Sequence, residues 1–201
     1  MSESTTTGQT DAAPVAGAPT VLVEEVSVLS AADLQDLCDA AESAIKAGGG
    51  FGWIDPPPLD LLEAYWRGVL MIPERVLLAG RLDGVIAGSC QIVRPPRNNE
   101  AQKRSCQITT NFVAPWARGH GLSAALLDGA EARARELGFL VINLDVRVTQ
   151  HAAIRLYERS GYHRFGTHPR YAWVKDHWVA GHFYFKALDS SAPDGAEETG
   201  P

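Results

Sequence analysis

A chain of 201 residues, 45% apolar and 21% charged, is long enough for one well-buried core and short for two. Its formal net charge of −6 and pI near 5.5 argue against a general nucleic-acid or polybasic membrane surface. No run of about 20 apolar residues exists, and the first ten residues (MSESTTTGQT) lack the basic-then-apolar layout of a signal peptide. Three widely spaced cysteines, Cys38, Cys90 and Cys106, form no CxxC pair and fit reduced core thiols, so a cytoplasmic protein is expected, with neither membrane nor nucleic acid as partner.

Residues 1–19 are poor in large apolar side chains, and residues 189–201 (DSSAPDGAEETGP) are acidic and equally poor. Both read as disordered tails around one domain at 20–188. Residues 21–28 predict a first strand. Ser30-Ala31-Ala32-Asp33 then resembles a capping box that opens a helix with apolar Leu34, Leu37, Ala41 and Ile45, ended by Gly48-Gly49-Gly50. Pro56, Pro57 and Pro58 forbid a continuing helix, while Leu61, Leu62, Tyr65, Trp66 and Val69 return to helical spacing. An aromatic loop carrying Phe51 and Trp53 is therefore expected between two helices.

Residues 75–82 and 85–93 flank Asp83-Gly84, whose tolerance of positive φ suits a two-residue hairpin turn. A polar loop (RPPRNNEAQK) follows, then a strand over 104–114, a helix over 121–137 ended by Gly138, and the apolar strand FLVINLDV. That order is a βαβ unit, which predicts parallel, central strands and a right-handed crossover. Thr149 can cap a further helix ending at Gly161, and residues 162–188 read as a last hairpin turning near Asp176-His177. The whole predicts a mixed α/β sheet flanked by helices.

The stretch VAPWARGHGLSAALL, residues 113–127, replaces the usual capping side chain of a helix start with Arg118-Gly119-His120-Gly121. Bare amide N–H groups at the positive end of a helix dipole suit an anion, and glycines let a pyrophosphate approach closely. An ordinary strand-to-helix turn would also explain the glycines. So would a dinucleotide fingerprint, since Gly119-x-Gly121-x-x-Ala124 matches G-x-G-x-x-A and Asp145 closes the next strand. Against the fingerprint stand the five residues 114–118 before the first glycine, the antiparallel strands that precede it and the lack of a second mononucleotide half. No G-K-[ST] is present, which excludes a P-loop.

Residues 113–162 resemble the GNAT superfamily of acetyl-CoA-dependent N-acetyltransferases. Its pattern Val-x-Pro-x-x-Arg-Gly-x-Gly-x-Gly/Ala reads here Val113-Ala-Pro115-Trp-Ala-Arg118-Gly119-His-Gly121-Leu-Ser123, with Ser123 in place of glycine or alanine. A second pattern, Asn-x-x-Ala-Ile-x-Leu-Tyr-Glu-x-x-Gly-Phe, reads Gln150-His-Ala-Ala153-Ile154-Arg-Leu156-Tyr157-Glu158-Arg-Ser-Gly161-Tyr162. The resemblance implies the GNAT fold over residues 20–188 and acetyl-CoA as cofactor. It implies cofactor contacts from Phe112, Val113 and Arg118, from Gly119, His120, Gly121, Leu122 and Ser123, and from Gln150, Ala153 and Tyr157. The segments around Pro169-Arg-Tyr171 and Phe183-Tyr-Phe-Lys186 look like the branch of tabtoxin-resistance-type acetyltransferases of small amino-acid-like compounds.

Acyl transfer from a thioester to an amine needs a neutral amine, stabilisation of the developing oxyanion and a proton for the departing thiolate. The resemblance gives the proton to Tyr157; a core tyrosine with a satisfied hydroxyl is the competing reading. Asp145, in Leu144-Asp145-Val146-Arg147, alternates to the face opposite Leu144 and Val146 and is similar to the acid of ribosomal-protein N-terminal acetyltransferases. It is the first candidate base, against a structural ion pair with Arg147 or another arginine, and Glu100 is the second. Backbone N–H groups near Phe112 and Val113 would hold the oxyanion where the parallel strands splay. Phe51, Trp53, Trp66, Tyr171 and His182 are expected to line the substrate pocket, with simple core packing as the competing reading for Trp66.

Direct transfer in a ternary complex is expected, because no cysteine lies beside a motif histidine. The six histidines show no metal-ligand spacing, so no metal is expected. The leading expectation is an N-acetyltransferase acting on a primary amine of a small molecule. The alternatives are a protein N-terminal acetyltransferase and, from a different class, a dinucleotide-binding oxidoreductase or a noncatalytic nucleotide-sensing domain. The resemblance further implies that the terminal hairpin can support a homodimer.

Overall fold

The computed structural model describes residues 18–49 and 51–189; both expected tails fall almost wholly outside them, as does Gly50. Strands β1 (Val21–Val26), β2 (Arg75–Leu82), β3 (Val85–Val93), β4 (Ser105–Val113), β5 (Val141–Arg147), β6 (His163–Val174) and β7 (His177–Ala187) form one sheet in the order β1-β2-β3-β4-β5-β7-β6. All neighbouring pairs are antiparallel except β4 and β5. Helices α1 (Ala31–Lys46) and α2 (Leu59–Met71) precede β2; α3 (Leu122–Glu136) and α4 (His151–Arg159) follow β4 and β5. This is the mixed α/β sheet that the sequence predicts.

Local chemistry explains the boundaries. Ser30 Oγ accepts from the Asp33 N–H at 3.0 Å, satisfying one of the orphan donors of α1. Asp83 and Gly84, with φ of +50° and +87°, close the β2–β3 hairpin in the conformation that its twist requires. The last hairpin turns at Lys175 and Asp176, both at positive φ. One expectation is corrected: Thr149 does not cap α4. Gln150 is the N-cap without a side-chain cap bond, because its amide is committed elsewhere, to the Gly48 carbonyl at 2.6 Å.

Each face of the sheet buries its own core. On one, Leu37, Ala41, Leu62 and Trp66 pack on Leu77, Ile86 and Phe112; on the other, Leu122, Leu126, Leu127 and Ala130 pack on Ile92, Ile108, Ile142 and Tyr184. Burial of such side chains contributes about 1.5–3 kcal/mol each and fixes α3 against the sheet. The feature that positions the site lies between the cores. β4 and β5 pair only at Ser105–Gln107 with Val141–Asn143, although both strands run on, so they splay at their C-terminal ends.

Candidate active site

Beyond Val113 the chain makes a short 3-10 turn, Pro115–Ala117, and reaches α3 through Gly119 and Gly121, whose φ values are +87° and +80°. A side chain is strained at such φ, which accounts for both glycines. Gly121 caps α3 without a side-chain bond, leaving first-turn N–H groups directed outward at the positive end of the dipole. No atom lies within 4 Å of where a Cβ would stand on either glycine, so the space in front of the turn is open. A cavity of about 440 Å³ lies there. Arg118, Gly119, Gly121, Leu122 and Ser123 line one wall, Phe112 and Val113 another, and Gln150, Ala153 and Tyr157 of the α4 region a third. His120 is exposed and stands apart from the lining.

A second cavity, of about 580 Å³, opens on the other side of the splay. Phe51 and Trp53 from the α1–α2 loop, Asp145 and Arg147 from β5, and Tyr171 and Trp173 from β6 line it. The two cavities share Gly49, Asn111, Gln150, Ala153 and Tyr157, so they meet along these residues. Tyr157 is 5% exposed and its phenol accepts from Asn111 Nδ2 at 3.3 Å. Burial pushes its pKa well above the usual tyrosine value, and the Asn111 bond offsets only part of the rise. Tyr157 therefore carries its proton throughout the neutral range.

Asp145 is half-buried, with Oδ1 accepting from Gln107 Nε2 at 2.8 Å and Oδ2 accepting from the Tyr171 hydroxyl. Alternation along β5 sends Ile142, Leu144 and Val146 to the α3 core and Asp145 to the cleft. Burial first, and then the carboxylate that accepts its proton, raise the Tyr171 pKa, so this phenol is a neutral donor. Arg147 Nη2 and Gln150 Nε2 both donate to the Gly48 carbonyl, at 3.0 and 2.6 Å, tying the aromatic loop to the end of β5. Phe51 completes the wall by stacking on Phe112 at 4.8 Å.

Three expectations are corrected. Trp66 is fully buried and lines neither cavity: with Leu62 and Val69 it forms the core stripe of α2, and it supports Phe51 from beneath at 5.8 Å. His182 pairs with Val146 and so lies on the sheet face opposite Asp145, where it meets Arg164 at 3.2 Å and Thr167 at 2.8 Å. Its neighbour Phe183 pairs with Asp145 and abuts Tyr171 at 5.8 Å. Glu100 is exposed on the 3-10 turn Glu100–Gln102, which leads into the start of β4, whereas the cleft is formed by its later residues 108–113.

Asn111, Gln107 and Trp173 are site residues that sequence reasoning missed. A usable signal was present for two of them. In SCQITTNFV the polar residues Gln107, Thr109 and Asn111 alternate with buried Cys106, Ile108 and Thr110, the pattern of a strand with one face turned to a cleft.

The glycine turn, the splayed strands and the buried tyrosine between two cavities together form the candidate site. A family model for the acetyltransferase (GNAT) family matches residues 39–162, and the chain belongs to that family. An uncharacterized N-acetyltransferase from the hisH–hisA intergenic region of Azospirillum brasilense is 60% identical over 130 residues, covering 65% of this chain and 77% of the relative. Among solved structures, an N-acetyltransferase of Staphylococcus aureus Mu50 superimposes with a TM-score of 0.70 at 17% identity, over 85% of this chain and 99% of that one. A Salmonella typhimurium protein, yncA, does so with a TM-score of 0.68 at 18% identity, over 88% and 99%, and its structure holds acetyl-CoA as cofactor. At these identities the solved structures establish the fold.

The chain is thus an N-acetyltransferase that uses acetyl-CoA. The oxidoreductase and nucleotide-sensing alternatives fall with that assignment. The residues present fit the cofactor: outward amides and open Cβ space at Gly119 and Gly121 suit a pyrophosphate, and Arg118 adds a cation at the same wall.

Proposed function

We propose that this enzyme acetylates the primary amine of a small amino-acid-like molecule, directly, with acetyl-CoA and amine bound together. The observation that carries this reading is the pair of cavities meeting at Tyr157: one has the backbone for a diphosphate, the other has a carboxylate and aromatic walls. A volume of about 580 Å³, walled by both the aromatic loop and β6, falls within the usual range of small-ligand sites.

Bound acetyl-CoA supplies an electrophilic acetyl carbon and a thiolate leaving group. Gly119 to Ser123 hold the diphosphate by backbone N–H groups, with Arg118 beside them, and Phe112, Val113, Gln150 and Ala153 border the acyl arm. Asp145, oriented by Gln107 and Tyr171, takes the amine proton through water and leaves a free lone pair. Backbone N–H groups of β4 near Phe112 and Val113, beyond the last β4–β5 pair, meet the negative charge that develops on the acetyl oxygen. Tyr157 gives its proton to the departing sulfur. A covalent route through cysteine finds no support, because Cys90 and Cys106 are buried with thiols pushed up to about 12 and line neither cavity.

Thiol release from acetyl-CoA with a panel of free amino acids, small amines and short peptides tests the reading. Turnover with small amines and none with peptides is the expected result; turnover with peptides alone would reassign the acceptor to a protein N-terminus.

A further inference from the structure

Among the described residues the buried polar side chains are Ser89, Gln91, Thr110 and Glu131. Glu131 is paired with Lys186 at 2.7 Å. The other three converge on one place in β4, which calls for an explanation, since burial of polar groups is costly unless they are tied together. Thr110 has a φ of +51°, which a β-branched residue adopts only when its surroundings impose it. The β3–β4 register slips at the same point: Gln91 faces Thr109 and Ser89 faces Phe112, so Thr110 and Asn111 together stand opposite Cys90.

Thr110 is gripped from two sides. Ser89 Oγ donates to its carbonyl at 3.3 Å, and its Oγ1 lies 3.3 Å from the Tyr65 hydroxyl. The polarity of the chain behind Tyr65 follows from Arg75, which has donors only. Its Nη1 meets Gln91 Oε1 at 2.6 Å, which turns Gln91 Nε2 onto the Tyr65 oxygen at 3.2 Å and leaves the phenolic hydrogen for Thr110. Asn111, the next residue, donates to Tyr157.

We propose that Tyr65, backed by Gln91 and Arg75 and joined by Ser89, is a positioning residue for acetyl transfer: it holds the left-handed turn at Thr110, which aims Asn111 at Tyr157 and keeps β4 parted from β5. This rests on the reading of Tyr157 as proton donor. The Tyr65 ring has a separate task, supporting Trp53 at 4.9 Å and Phe51 at 6.2 Å in the cavity wall. Tyr65→Phe keeps the ring and deletes the hydroxyl, so the two tasks can be separated.

The expected result for Tyr65→Phe is a fall in kcat of about tenfold, the worth of one hydrogen bond, with acetyl-CoA affinity by calorimetry nearly unchanged and Tm lowered by a few degrees, because buried Gln91 Nε2 loses its acceptor. A merely structural role would show the same Tm loss with kcat unchanged, and that outcome overturns the inference. Thr110→Gly supplies the second arm, because glycine takes positive φ without constraint. In that background Tyr65→Phe should cost less than about twofold, a coupling that a double-mutant cycle measures directly. Equal losses in both backgrounds overturn this inference alone, whereas an undiminished rate for Tyr157→Phe overturns the proton-donor reading and this inference with it. Thiol release with the best amine of the panel is the readout.

Discussion

Replacing Tyr157, which lines both cavities, by phenylalanine isolates the contribution of its hydroxyl. The ring is retained, with its contacts to Tyr162 at 5.8 Å and Tyr184 at 6.2 Å, so the fold loses only the bond from Asn111. That bond is long and Asn111 is only half-buried, which limits the stability cost to about 0.5–1.5 kcal/mol. Activity should respond on a different scale. A positioned proton donor contributes roughly 10²- to 10⁴-fold, or about 3–5 kcal/mol of barrier at about 1.4 kcal/mol per factor of ten. The glycine turn is untouched, so the Kd for acetyl-CoA should stay within about twofold of wild type. Because burial lifts the phenol pKa above the usual value, Tyr157 stays protonated between about pH 6 and 9, and the pH profiles of variant and wild type should run parallel there. Steady-state thiol release, calorimetry with acetyl-CoA and a thermal melt measure the three quantities. A variant that keeps more than about a third of wild-type kcat, or that loses rate only in proportion to weakened cofactor binding, would refute the assignment.

Gly121→Ala meets no atom within 4 Å, so its folding cost is the left-handed φ alone, about 1–2 kcal/mol, while the new methyl group stands before the turn. Calorimetry should show acetyl-CoA affinity falling by about tenfold or more, roughly 1.4 kcal/mol; an unchanged Kd would mean that no phosphate approaches there. Gly181→Ala would drive a Cβ into the Tyr171 ring, within 2.7 Å of Cδ2, and push that side chain off Asp145. A destabilisation of about 1–3 kcal/mol and a lower kcat are expected, with cofactor affinity kept; full activity in a crystallographically displaced Tyr171 would remove that residue from the mechanism. Burial lifts the thiols of Cys38, Cys90 and Cys106 from 9.0 to about 11, 12 and 12, so the folded protein holds them neutral. Their contribution to stability is complete below about pH 9 and declines toward pH 12, by about 1.4 kcal/mol per pH unit for each thiol that ionises in the unfolded chain. Tm should drop between pH 8 and 10, and a disulfide reagent at pH 8 should react only after unfolding; a flat Tm would contradict this.

The features legible in the sequence are those whose signal is local. Ser30 and Asp33 are three residues apart, Asp83 and Gly84 are adjacent, and the glycine turn is contiguous, so each could be read before any tertiary contact was known. The mistaken site residues depend on long-range register. His182 and Phe183 differ only in which β5 residue they face, and that follows from the β5–β7 pairing, which no local pattern encodes. Trp66 shares the buried stripe of Leu62 and Val69, a local spacing that assigns it to the core, whereas its neighbour Tyr65 turns toward the cavity wall. Asn111 takes its meaning from Tyr157, 46 residues away, and from a strand whose kink depends on Ser89 and Tyr65.

Three residue pairs stitch the β1–β4 half of the sheet to the β5–β7 half. So short a seam lets the halves breathe against each other without breaking any other ladder, and whatever fills the gap becomes a brace between them. Amide exchange along the far ends of β4 and β5 should therefore slow when the cleft is loaded, making occupancy itself a source of rigidity for the molecule.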